Sequence, residues 1–338
     1  MIRLKNISLI VSVLFCIIAL RLWYMQIIKG DYYYNLSENN RIRLIPVSPV
    51  RGRILDTNGV VLVDSRPSFQ VGIFESELNK KEKKEVLETL SNLLNVPCSK
   101  LADSLRKADT PPFVPKVILR DISRQEAITL ETRISNLPGV MIQAIPLRHY
   151  PFGRAGAHLL GYLGLVNRFE LKELNPKRKE LRRLEPYYGF QPKDVVGRAG
   201  VEKKFDEHLR GQPGGQQVEV DRRGSLIKVL SQRNQVKGED LQISIDIRIQ
   251  QKAEQLLGKG KGVIIVMNPN TGEIIALTSH PAYDPTVFVD PDLRPERNKL
   301  FINKGKPLIN RALSGTYPPG SIFKIVIAAA GLEKKKIA

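Results

Sequence analysis

Cysteine is almost absent from this chain. Only two occur in 338 residues, Cys16 inside an apolar run and Cys98 in a polar stretch, contexts too different for a disulfide framework or a redox pair. Histidine is nearly as scarce. His149, His158, His208 and His280 show no metal-ligand spacing with one another or with cysteine, so neither a metal centre nor a bound cofactor is expected. No internal repeat and no long low-complexity segment is present. Acidic residues are also short in supply, 34 against 53 basic ones, for a net charge of +19. Such a balance suits a polyanionic partner: nucleic acid, a membrane surface or an anionic wall polymer. No zinc-finger spacing, RNA-binding aromatic signature or paired-helix reading motif accompanies the basic clusters at Lys80–Lys84, Lys177–Arg183 and Lys334–Lys336. They read as solvated helix faces, and no nucleic acid is expected.

A long apolar run stands at the start. Arg3 and Lys5 precede Ile7–Leu20, and after Arg21 the apolar character resumes through Trp23, Tyr24 and Ile28. Taken as one helix, residues 7–28 measure about 33 Å, enough to cross a bilayer if Arg21 snorkels to the interface beside the two aromatics. No small-x-small cleavage site follows, and Phe15 before Cys16 speaks against a lipoprotein. The expected topology is a cytoplasmic tail (1–6), an uncleaved signal-anchor (7–28) in the inner membrane, and an extracytoplasmic remainder.

That remainder divides by pattern. Residues 41–47 alternate in part, and Arg51–Val63 reads as strand, turn, strand around Asp56-Thr57-Asn58-Gly59. An α-rich insertion follows over about 70–145, with helices expected at 80–94, 100–107 and 123–135, and extended chain returns at 138–145. Polar residues 167–185 suggest an exposed helix or loop. A helix over 201–209 ends at Gly211, and a strand at 216–220 leads to a turn at Arg223-Gly224. A strand at 240–245, a helix capped by Asp246 with Ile249, Ala253, Leu256 and Leu257 on one face, and a hairpin over 262–278 then open a new domain. The boundaries expected are 29–235 for a β-rich pedestal and 236–338 for the domain after it.

The residues that carry chemistry come near the end, in Tyr317-Pro318-Pro319-Gly320-Ser321-Ile322-Phe323-Lys324. Two prolines and a glycine punctuate the entry to an apolar helix. The i, i+3 spacing puts Ser321 and Lys324 on one face, where an unprotonated lysine can take the serine proton and backbone N–H groups can hold an oxyanion. S-x-x-K alone is weak, since a basic chain contains it by chance.

Its surroundings are not weak. Thr316–Lys324, the Gly262–Pro285 hairpin with its Asn268-Pro269-Asn270-Thr271-Gly272-Glu273 turn, and Leu241–Gln250 resemble the opening of a penicillin-binding transpeptidase domain, a serine β-lactamase-like fold. Upstream, Arg51-Gly52-Arg53-Ile54-Leu55-Asp56, Arg148-His149-Tyr150-Pro151 with His158 and Gly161, and Gly197-Arg198-Ala199-Gly200-Val201-Glu202 with Leu209-Arg210-Gly211 resemble the three pedestal motifs of class B penicillin-binding proteins. The resemblance covers most of the chain, and the 194–211 block with the α-rich insertion is closer to the elongation type than to the division type. It implies an α+β multidomain protein: an anchor helix, a pedestal with a head insertion, and the start of a peptidoglycan D,D-transpeptidase domain. Ser321 would be the nucleophile and Lys324 the general base. Arg51, Gly52, Asp56, Arg148, Tyr150, Pro151, Gly197, Gly200, Glu202 and Gly211 would be structural, with arginine–glutamate ion pairs joining pedestal segments. Implied partners are the stem peptide on a lipid-linked precursor, β-lactams, the membrane, and a glycosyltransferase of the shape, elongation, division and sporulation family.

Two departures occur: Thr57 stands where arginine is common, and Asn268 where aspartate often precedes the proline. Fourteen residues follow Lys324, and the family's S-x-N and K-T-G motifs are absent; Ser37-Glu38-Asn39 fits by letter but lies beside the anchor. The chain is therefore expected to be an N-terminal part of such an enzyme, with an uncovered helix face and little activity. A membrane-anchored scaffold and a β-lactam-sensing receptor are the alternatives.

Overall fold

A computed structural model describes residues 2–30, 42–108, 110, 114–167, 169–174, 190, 194–220, 226–290 and 293–336. Helix α1 (Ile2–Trp23) runs without a break into a single π-helical turn, Tyr24–Ile28, so the anchor is helical from Ile2 onward. Phe15, Leu20 and Ile27 point outward, and it is the one described helix long and apolar enough to span a bilayer. Arg21 and Lys29 both lie over the Tyr24 ring, 5.7 and 5.8 Å from its centroid, a cationic and aromatic collar of the kind that sits at a membrane surface.

The pedestal starts with β1 (Ile42–Val47), β2 (Ile54–Leu55) and the 13-residue β3 (Val61–Ile73). Beyond it come α2 (Lys80–Leu94), α3 (Cys98–Lys107), β4 (Lys116–Ile122), α4 (Arg124–Glu131) and β5 (Val140–His149). Strand β3 holds this region together. Its first residues pair with β2, its last with β4, and β5 follows it from Asp64↔His149 to Ile73↔Val140. The stretch read as an insertion is therefore entered and left on one continuous ladder. Capping boxes start α2 (Asn79 with Glu82) and α4 (Ser123 with Glu126), and α4 stops at Glu131, short of the expected 135. Val86, Leu87, Leu90 and Leu94 of α2 and Leu101 and Leu105 of α3 pack on Val71, Ile73 and Ile118. Each fully buried side chain of this kind contributes about 1.5–3 kcal/mol. Of the lysines at 80–84, Lys80, Lys81 and Lys84 are exposed, and the last two make loose i, i+4 pairs with Glu85 and Glu88, as a solvated face requires; Lys83 is half-buried and pairs with Glu75.

The pedestal closes with distant residues. After β6 (Leu163–Leu165) and β7 (Val195–Gly197), the expected 201–209 helix is two short ones broken at Phe205, α5 (Gly200–Lys204) and α6 (Asp206–Arg210). Strand β8 (Gly214–Val220) lies between β1 and β9 (Leu226–Arg233). Only β10 (Leu241–Gln242) of the expected 240–245 strand forms a ladder, parallel to β2, because the chain then turns to cap α7 (Ile247–Leu257). Asp246 accepts the Arg248 N–H, as its cap role demands. The buried face of α7, however, is Ile247, Gln250 and Ala253; Leu256 is 71% exposed and Ile249 is exposed. Polar Gln250 takes the core position because its amide bonds the backbone of the neighbouring strand. The hairpin β11 (Gly262–Met267) with β12 (Ile274–His280) forms as expected and packs on α7. Residues 177–183, 223–224 and 37–39 lie outside the described set.

Candidate functional site

The expected pedestal residues converge on one buried carboxylate. Glu202, on α5, is fully buried; its Oε2 accepts from Arg51 Nε at 2.6 Å and its Oε1 from Arg148 Nε at 2.7 Å. Arg51 also donates to the Glu202 carbonyl at 3.0 Å and pairs with Asp206 at 2.9 Å. Arg148 Nη1 donates to the Gly52 carbonyl at 2.7 Å. A desolvated carboxylate is tolerable only with such full pairing. Tyr150 packs in the adjacent core of Ile54, Val63, Leu160, Leu209 and Ile247, and burial raises its phenol well above the usual range. Its hydroxyl and Arg148 Nη2 are buried without a hydrogen-bond partner among the described residues. Pro151 is exposed in the turn after it, closed by Gly153 N to Tyr150 O.

Backbone geometry explains the glycines. A Cβ on Gly52 would lie 1.8 Å from the Glu239 carbonyl oxygen, and one on Gly200, where φ is +56°, would lie 2.2 Å from that of Leu159. Gly197 approaches the Glu202 backbone as closely and donates its N–H to Asp206, and Gly211 ends α6. Asp56, fully buried, accepts from Asn58 N and Val60 N within its own turn and from Ile247 N at the start of α7. It thus joins the first hairpin to the domain that follows.

A second junction sits at the short helix Ala157–Leu160. The buried His158 ring contacts the Pro307 carbonyl through Nε2 at 2.6 Å, and the His158 carbonyl accepts from Asn310 Nδ2 at 3.2 Å. Tyr283 stands edge-on to that ring at 5.1 Å and donates its hydroxyl to the Ala157 carbonyl. Burial lowers the His158 pKa and raises that of Tyr283. Glu254 accepts from both Gly156 N and Gln250 Nε2, while Gln250 exchanges two bonds with the backbone of Leu277 in β12. Ser279, also in β12, accepts the Arg311 N–H and donates to the Ile309 carbonyl.

This clamped segment leads to Ser321. Asn310 caps the short helix Arg311–Ser314, and the chain then passes through the two prolines to Gly320, whose φ is +56°. Ser321 lies in a 3-10 turn, Gly320–Ile322, and Lys324 in the first turn of α8 (Phe323–Glu333). The i, i+3 relationship is present. Among the described residues no hydrogen bond or ion pair engages Ser321 Oγ or Lys324 Nζ, and the apolar side chains of α8 are uncovered, Ile325 by 72%, as is Ile322 in the turn before it. The pedestal charges and the serine segment are separate sites. Gln250, Glu254, Ser279 and Asn310 escaped sequence reasoning; an N-capping asparagine before Arg311–Ser314 was the one signal available.

Residues 46–243 match the penicillin-binding protein dimerisation domain and residues 262–338 the penicillin-binding protein transpeptidase domain. The chain is similar to the peptidoglycan D,D-transpeptidases MrdA of Acinetobacter baumannii (34% identity, 96% of this chain and 46% of that protein) and Escherichia coli K12 (29%, 94% and 49%). It is also similar to penicillin-binding protein 3 of Bacillus subtilis (31%, 92% and 44%). The chain spans about half the length of these relatives. Its fold superposes on PBP2 from Helicobacter pylori in complex with MreC (TM-score 0.70, 24% identity, 88% of this chain and 53% of that one) and alone (0.65, 25%, 86% and 53%).

Proposed function

Because the chain belongs to the class B penicillin-binding proteins, related to the elongation-type D,D-transpeptidases, we propose that it carries the anchor, pedestal and nucleophile helix of a peptidoglycan-crosslinking enzyme. Helix α1 holds it in the cytoplasmic membrane, with the bulk of the chain extracytoplasmic. The observation that carries the proposal is the Ser321 and Lys324 pair, one turn apart behind Pro318-Pro319-Gly320, inside the matched transpeptidase region.

In this reading Lys324, unprotonated, takes the Ser321 hydroxyl proton as Oγ attacks a carbonyl of the stem peptide. The Oγ–C bond forms, the peptide C–N bond breaks, and the leaving amine receives the proton. An amine of a second stem peptide then attacks the ester, its proton returns to Oγ, and the crosslink replaces the serine bond. A β-lactam enters by the same first step. Backbone N–H groups at the α8 entry suit the developing oxyanion. The substrate is then a stem peptide on a lipid-linked precursor, and the pedestal motifs serve as structure. A glycosyltransferase of the shape, elongation, division and sporulation family is the proposed membrane partner, and the PBP2–MreC complex of Helicobacter pylori suggests a protein of the MreC kind as a second. The domain division proposed is 29–235 for the pedestal, with its head at about 70–145, and 236–338 for the part of the transpeptidase domain.

A scaffold reading is favoured by one observation, the buried Glu202 carboxylate through which Arg51 and Arg148 tie the pedestal segments together. Labelling with a fluorescent penicillin separates the two. The chain is compared with a form extended through the reading frame after codon 338, and with Ser321→Ala in that form. Label on the extended protein that vanishes with Ser321→Ala is expected; an extended, folded protein that takes no label leaves the scaffold.

A further inference from the structure

The four-residue turn Ala157–Leu160 belongs to the pedestal, yet its polar atoms are spent on the other matched region. His158 Nε2 meets the Pro307 carbonyl at 2.6 Å, its own carbonyl takes the Asn310 amide, and the Ala157 carbonyl takes the Tyr283 hydroxyl. A ring nitrogen against a carbonyl must be the N–H donor, which assigns the proton to Nε2. On the far side of the same segment, Ser279 holds Ile309 and Arg311, and the Arg311 guanidinium folds back onto the carbonyls of Gly305 and Lys306. Residues 305–311 are thus gripped between a pedestal turn and strand β12. The Arg311–Ser314 helix, the two prolines and Gly320 connect this grip to the 3-10 turn bearing Ser321, ten residues after Arg311.

We propose that His158 is a positioning residue for acyl transfer at Ser321: its Nε2–H bond to Pro307, with the Asn310 link, sets the segment that delivers the serine. This rests on the assignment of Ser321 as nucleophile. The imidazole touches no reacting atom. It acts through geometry, where a displacement of about 1 Å at the reacting group costs up to about a hundredfold in rate.

Three variants of the extended, membrane-extracted enzyme test it. His158→Phe keeps a ring against Tyr283 but loses the donor; His158→Gln places an amide N–H near the position of Nε2; Asn310→Asp keeps the helix cap but removes the donor to the His158 carbonyl. Stopped-flow acylation by a chromogenic β-lactam separates the pre-acylation binding constant from the acylation rate constant. The Phe variant should lose between about tenfold and a hundredfold in acylation rate with binding within twofold. The Gln variant should regain most of it, and Asn310→Asp should show the same defect as Phe. Amide exchange over residues 305–316 should quicken in the Phe and Asp variants and not in the Gln variant. Equal acylation rates in the native and Phe enzymes overturn the proposal, as does a Gln variant no better than Phe. If His158→Phe does not fold, Asn310→Asp at native rate overturns it instead. Absence of label on the native enzyme refutes the Ser321 assignment, a result distinct from these.

Discussion

Glu202 and Arg148 stand 54 positions apart in the chain and meet at 2.7 Å, the carboxylate wholly excluded from solvent and the arginine 4% exposed. Each makes sense only with the other. A lone buried charge has no compensation for the water it has lost, whereas this carboxylate shares its two oxygens between two guanidinium groups.

Glu202→Ala therefore leaves the buried Arg148 without its carboxylate and Arg51 with Asp206 alone, and should destabilise the pedestal by about 3–5 kcal/mol. Urea denaturation of the extracytoplasmic part measures it. Exchanging Arg148 for methionine in the same protein should recover part of the loss; a single-variant cost below about 1 kcal/mol would contradict the buried pairing.

Gln250→Leu conserves bulk and should still be costly. The amide exchanges bonds of 2.8 and 3.1 Å with the Leu277 backbone, and leucine leaves that N–H and C=O buried and unpaired, at about 1–3 kcal/mol for each. Thermal denaturation should show the drop. Leu256→Gln on the exposed side of the same helix should change little, and equal effects at both positions would mean that the α7 face is wrongly assigned.

Gly200→Ala and Gly59→Ala both place a side chain at positive φ, a strain of about 1–2 kcal/mol. They differ in space. A Cβ at Gly59 meets nothing within 4 Å, while one at Gly200 strikes the Leu159 carbonyl at 2.2 Å. Soluble yield and melting temperature should be mildly lowered for the first and collapse for the second.

Stability should fall with acid in two windows. Burial lowers the His158 pKa from 6.5, so below that pH the unfolded chain takes up a proton that the folded ring resists, and stability declines as pH drops. Arg248 holds the Asp246 carboxyl, and Lys116 with Lys83 the Glu75 carboxyl, below the ordinary carboxylate range. Their stabilisation is complete above the unfolded carboxylate value of about 4 and is lost as pH falls through the folded values. Denaturation between pH 8 and pH 3 should show both declines, and His158→Phe should remove the upper one alone.

Local patterns carried much of this into the sequence. Helix α2 occupies the expected 80–94, since its apolar spacing and Asn79 cap agree, and the 262–278 hairpin is announced by its Asn-Thr-Gly turn. The expectation failed on α7, because counting apolar residues rewards Ile249 and Leu256, and a glutamine bonded to a neighbouring strand carries no periodicity. The strand expected at 240–245 is cut short for a different reason: its distant partner, β2, is two residues long, and the chain then turns to cap α7. Ser321 and Lys324 were legible as a motif. The grip on residues 305–311 was not, because it depends on backbone carbonyls that any sequence possesses.

The pairing of the first strands with the last parts of the pedestal bears on how the protein is made. Arg53 and Asp240, at the β2 and β10 junction, are 187 positions apart, and β1 waits nearly as long for β8. At synthesis rates of about 5–20 residues per second, β1 and the β10-facing edge of β2 stay unpaired for roughly 10 to 40 s after they are made, while the other edge of β2 has β3 at once. Exposed strand edges adhere to one another over such intervals. The anchored nascent chain thus passes through a long open state, in which folding competes with association between chains until residues 214–242 arrive.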